Sequence, residues 1–118
     1  KFLFEYGQCL SKTGQYEEGI RILTEGTRLS ADPMFYNIMG KDAEALKHFG
    51  QAEACFKQAS YMVPHRLYPL YLLAKMYFES GQPEKGRDMA RQVIQKEPKV
   101  MSDAVKEMKA ELEERLKP

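Results

Sequence analysis

Small residues recur in this chain at a fixed interval. Gly7, Gly40 and Ala74 stand about 34 residues apart, and Gly19, Ala52 and Gly86 keep the same spacing. Three segments align around them. The first carries Tyr6, Leu10, Gly14, Tyr16, Leu23 and Gly26; the second Met39, Ala43, Phe49, Phe56, Ala59 and Pro64; the third Leu73, Tyr77, Gly81, Pro83, Ala90, Val93 and Pro98. Self-similarity of this length marks a stack of like units, each too small to cover its own apolar face and therefore packed on its neighbours. Within a unit the apolar positions read as two helices of about a dozen residues, each with one apolar stripe, and the shared small residue lets the two backbones approach closely.

The punctuation agrees with that reading. Turns are predicted at Thr13-Gly14-Gln15, at His48 to Gln51 and at Ser80-Gly81-Gln82-Pro83, with Pro83 suited to the first turn of the following helix. Pro33, Pro64, Pro69 and Pro98 sit at or near the junctions between helix pairs. After Pro98, Met101, Val105, Met108, Leu112 and Leu116 recur at spacings of three and four on a charged background, which predicts one amphipathic helix closing the array. Glu111 with Arg115 and Glu113 with Lys117 lie four apart and are expected on its solvent side. The expected fold is all-α: an α-α superhelix of three helix pairs, over about residues 1–33, 33–66 and 67–100, with a capping helix over about 101–117, all in one domain of residues 1–118.

Over about residues 2–100 this pattern resembles the tetratricopeptide repeat, a unit of helix, turn and helix about 34 residues long. Two departures stand out. Leu3, Tyr36 and Leu70 replace the family's frequent Trp in the first helix, and the first copy has Ala31 where the others have Pro64 and Pro98.

Chemistry-bearing patterns are sparse. Eighteen basic and seventeen acidic residues give a formal charge of +1 with no long run of either sign, so the basic face that nucleic acid requires is missing. Cys9 and Cys55 fall outside any paired-ligand spacing and read as small packing residues. The Gly81 to Gly86 spacing fails as a phosphate loop because Arg87-Asp88 follows instead of Lys and Ser or Thr. His48 and His65 have no ligand partner at metal spacing, and the acidic residues are spread along helices at solvent positions. No catalytic residue, metal site or cofactor is expected. Tyr6, Tyr16, Phe49, Phe56 and Tyr77 fall on positions the helix pairs should bury. Tyr68 to Phe78, the most apolar stretch, is too short to span a bilayer and contains Lys75. The opening residues Lys1 to Tyr6 already read as the inside of a helix, so the chain is expected to be part of something longer.

The resemblance implies a concave groove lined by the first helix of each pair. In this chain that face would carry Phe4, Gln8, Lys12, Asn37, Lys41, Tyr68, Tyr71, Lys75 and Phe78. Aromatics with a few cations suit a groove that holds a peptide or helix, whether a separate partner or helices of the parent chain; self-association through the N-terminal pair is a third option. The carboxylate clamp some relatives use is not kept: Phe4, Gln8, Ile38 and Tyr71 stand where most of its polar groups belong, and Lys75 alone has the right character. Beyond the repeat, the runs Asp32 to Gly40 and His65 to Lys75, with Lys99-Val100-Met101-Ser102, resemble the soluble C-terminal repeat segments of bacterial O-antigen ligase or polymerase-like membrane proteins. That resemblance implies an accessory segment of an inner-membrane protein of surface-polysaccharide assembly, with the chemistry elsewhere in the parent. The alternative is a free-standing adaptor.

Overall fold

A computed structural model describes residues 2–98 and 100–117; Lys1, Lys99 and Pro118 lie outside the described residues. Among the described residues seven helices follow one another: α1 (Phe2–Lys12), α2 (Tyr16–Thr27), α3 (Pro33–Ala45), α4 (Phe49–Met62), α5 (Tyr68–Glu79), α6 (Pro83–Gln95) and α7 (Asp103–Leu116). Contact is most extensive within α1–α2, α3–α4 and α5–α6, and each pair leans on the next through α2–α3 and α4–α5. The first helices also touch in sequence, α1 to α3, α3 to α5 and α5 to α7. The result is an all-α helical array of 41 × 31 × 22 Å.

Helix ends are set locally. Asp32 caps α3, its Oδ1 accepting from Met34 N–H at 2.9 Å with Pro33 in the first turn, and Ser102 caps α7 by accepting from Val105 N–H at 3.2 Å. All three first helices end in the same way. Gln15, His48 and Gln82 N–H donate back to Leu10, Ala43 and Tyr77 carbonyls, and Gly14, Lys47 and Gly81 N–H to Ser11, Glu44 and Phe78 carbonyls. This double bond pattern needs a left-handed residue between helix and turn, and φ is 82° at Gly14, 78° at Gly81 and 62° at Lys47. The second turn therefore falls at Leu46 to His48, ahead of the predicted His48 to Gln51. Gly50 already lies inside α4, in open space.

Three apolar clusters run along the stack. Leu23, Phe35, Ile38, Met39 and Cys55 join the first two pairs; Ala43, Ala52, Phe56, Leu72, Leu73, Met76 and Tyr77 join the second and third; Leu67, Ala74, Ala90, Val93 and Leu112 join the third pair to α7. Within pairs, Gly7 lies against Leu23 and Gly40 against the Phe56 ring, so close that a Cβ on either glycine would clash. Lys109 on α7 donates to Ile94 O at 3.0 Å and Lys96 O at 2.8 Å, closing the carbonyl end of α6.

Several side chains depart from the sequence reading. Met101 precedes α7 and is exposed. Lys117 pairs with Glu114 at 3.1 Å instead of Glu113, residues three apart being neighbours on a helix surface just as residues four apart are. Glu111 turns inward, while Arg115 lies over the Phe78 ring at 5.2 Å. Tyr6 and Cys9 are exposed, since no described helix precedes α1 to cover them. Asp42 is fully buried.

Candidate functional site

The sequence-derived groove residues divide into three groups. At the junction of the first two pairs, Phe4 packs edge-on against Phe35 with ring centroids 5.2 Å apart. Asn37 is buried; its Nδ2 lies 3.5 Å from Met34 Sδ, and its Oδ1 meets no partner among the described residues. Gln8 is half-buried and Lys12 exposed in the last turn of α1. At the far end, Phe78 is half-buried under Arg115 and against Gly86.

The third group is continuous and spans α3, α5 and α7. Lys41 Nζ donates to the Tyr68 hydroxyl at 3.3 Å, and Tyr68 stacks on Tyr71 with centroids 6.1 Å apart. Tyr71 donates to Glu111 Oε1 at 2.6 Å and accepts from Lys75 Nζ at 3.1 Å. Lys75 completes the triangle with Glu111 Oε2 at 3.1 Å. The electrostatics follow the bonds. The Tyr71 hydroxyl and then Lys75 hold the Glu111 carboxyl below its ordinary pKa, whereas burial and the Glu111 contact raise that of Tyr71. For Lys75, burial pulls the pKa down but Tyr71 and Glu111 outweigh it, leaving the ammonium more firmly charged. One turn beyond Lys41, Glu44 is half-buried and faces Glu79 of α5; burial and then that second carboxyl push its pKa up to about 7 against Lys75 and Lys41.

Beside this network, between the start of α5 and the start of α7, opens a cleft of about 700 Å³. Tyr68, Tyr71, Val105 and Met108 supply apolar wall, with Arg66 and Glu107 among its polar groups. Clefts of this size and make-up are common ligand sites. Repeat spacing does not reach the α7 contribution, because the repeat alignment stops at Pro98 and the stripe beyond it predicts a capping helix alone. The signal that could have found it is the stripe itself: Glu111 sits three residues after Met108, the same side of a helix.

Among the described residues no group of three or more His, Cys, Asp or Glu side chains gathers to hold a metal, and no helix is long and apolar enough to cross a membrane.

Two models of the tetratricopeptide repeat match the sequence, one over residues 1–33 and the other over residues 70–99. The chain carries tetratricopeptide repeats. Between the two matched repeats, α3 and α4 have the same helix-turn-helix form, so the array is continuous. No curated protein matches the chain. Among solved structures, the fold is similar to that in the crystal structure of PcrH in complex with the chaperone binding region of PopB. The identity is 15% and the TM-score 0.75, with 97% of this chain and 91% of that chain covered. At that identity the likeness concerns the fold.

Proposed function

We propose that this tetratricopeptide-repeat chain is a non-catalytic scaffold that holds a protein segment, a peptide or helix, along the face formed by α1, α3, α5 and α7. The observation that carries this reading is the α5–α7 cleft, where aromatic and thioether walls stand next to an ordered Lys41-Tyr68-Tyr71-Lys75-Glu111 network. An apolar anchor of the partner would enter the cleft, and Lys41, Arg66 and Glu107 would read the polar groups flanking it. Aromatic anchors in desolvated pockets dominate the energy of such interfaces. That a solved structure with a similar fold is a complex with a binding region of another protein supports the reading. Phe4, Gln8 and Lys12 extend the proposed face toward the N-terminal pair, Asn37 lying buried beneath it, and Phe78 borders it at the other end.

A displayed random-peptide library selected on the chain tests this. Enriched peptides should share an apolar or aromatic anchor and lose at least tenfold in affinity against Tyr68→Ala, with the helical circular dichroism signal unchanged. Equal binding to Tyr68→Ala would remove the cleft as the site. A finer placement, as an accessory segment of a membrane protein of surface-polysaccharide assembly, rests on the 32–40, 65–75 and 99–102 runs alone. Sequencing upstream of Lys1 in the gene tests it: about ten apolar segments of about 20 residues each support the placement, and a soluble flank argues for the adaptor reading.

A further inference from the structure

The repeat register gives the outer side of α1 a defined meaning. Phe2, Tyr6 and Cys9 stand one repeat before Phe35, Met39 and Asp42, which in turn stand one repeat before Pro69, Leu73 and Met76. In α3 and α5 these positions are closed off: Phe35 is 3% exposed, Met39 7% and Asp42 1%, Leu73 1% and Met76 0%. What closes them is the second helix of the preceding pair. Gly26 of α2 faces the Phe35 ring and Gly19 faces Asp42; Ala52 of α4, fully buried, sits in one cluster with Leu73 and Met76. On α1 the matching side chains are open, Phe2 at 73% and Tyr6 at 41%, their rings stacked with centroids 5.9 Å apart and Cys9 exposed beside them.

The covering helices share one property. Small residues stand seven apart on the docking side, Gly19 with Gly26 in α2 and Ala52 with Ala59 in α4, a spacing that returns to the same face after two turns. Removing side-chain bulk there lets the next helix seat a ring or long side chain against bare backbone. Among the described residues α7 covers the other side of the third pair through Leu112, and the face of α1 that bears Phe4 and Gln8 is a different one.

We infer that the Phe2-Tyr6-Cys9 face of α1 is a docking surface for one further amphipathic helix of the α2 and α4 kind, presenting Gly or Ala seven residues apart. The surface continues an interface the molecule already builds twice, with the same residue positions on the receiving side. A second copy of the chain is a poorer match, since the small-residue sides of its own α2 and α4 are buried in its stack.

Cys9 supplies the readout, because Cys55 is buried and serves as an internal control. Joining a second copy of residues 34–67, with the Cys55 of that copy changed to Ala, directly ahead of Lys1 keeps the repeat register and presents an α4-type helix to α1. Alkylation of Cys9 by iodoacetamide should then slow at least tenfold relative to the unextended chain, and the thermal midpoint should rise. Changing Ala59 of the added copy to Leu should restore the fast rate. Tyr6→Glu should cancel the thermal gain in the extended chain and lower the midpoint of the unextended chain by much less, where Tyr6 is partly open to water and touches Phe2. Cys9 that alkylates equally fast in both chains overturns the inference. So does sedimentation of the natural chain as a dimer that oxidises to a Cys9–Cys9 disulfide, which would assign the face to a second copy.

Discussion

Two residues stand in conformations or surroundings that disfavour them, and both give measurable consequences. Lys47 occupies the left-handed position that Gly14 and Gly81 fill in the other pairs, a conformation in which a Cβ crowds the following carbonyl. Lys47→Gly is expected to raise stability by about 0.5–1 kcal/mol in urea unfolding, the relief of that crowding outweighing the added entropy of the unfolded chain. Asp42 is the second case. Ser11 Oγ–H has one proton for two acceptors, Gly7 O at 3.1 Å and Asp42 Oδ2 at 2.9 Å, so it compensates the buried carboxyl only in part. Burial pushes the Asp42 pKa up to about 6, against the Ser11 hydrogen bond and Lys41. The folded state therefore keeps a proton that the unfolded chain releases near pH 4, so stability falls as pH rises from about 4 to about 6 and is level above. Asp42→Asn should stabilise the protein by about 1–3 kcal/mol at pH 7.5, with the gain vanishing below pH 4. An equal gain at every pH would assign the effect to something other than this proton.

At the scale of helices, the stack depends on a few close approaches. Gly40 lies against the Phe56 ring, and Gly40→Leu should cost about 1–3 kcal/mol or more through overpacking, read as a lower urea midpoint. A stable Gly40→Leu chain would contradict the contact between α3 and α4. Leu112 is the one fully buried side chain of α7. Leu112→Ala should cost about 2–5 kcal/mol and loosen the Tyr71-Glu111-Lys75 triangle, so peptide affinity and the thermal midpoint should fall together. The helices themselves were legible in advance, because their apolar periodicity, Pro33, Pro83 and the glycine turns mark their extent and ends from local chemistry. The predicted middle turn lies too far toward α4, because a turn expected at Gly50 ignores that glycine's place inside the helix. The register, counting one repeat on from Gly14, points instead to Lys47.

For the whole molecule, the two thiols report on the stack as a unit. Cys9 should react with a disulfide reagent at once in the native state, whereas Cys55, buried between the first two pairs with its pKa pushed up to about 11 by burial and then by Asp42, should react only on unfolding. Two equally fast thiols would mean that the second pair opens independently. The regular recurrence of small residues alone determined an all-α array of helix pairs, since units that cannot cover their own apolar faces have to stack. Composition alone argued against a nucleic-acid surface. The tertiary structure decided where charged and aromatic side chains meet across helices far apart in the chain: Glu111 turned in to Tyr71 and Lys75, Asp42 sealed beside Ser11, and Tyr6 left open. Periodicity assigns a residue to a face of its own helix, but what that face meets depends on how neighbouring helices are set against it, and that exists only once the stack has formed.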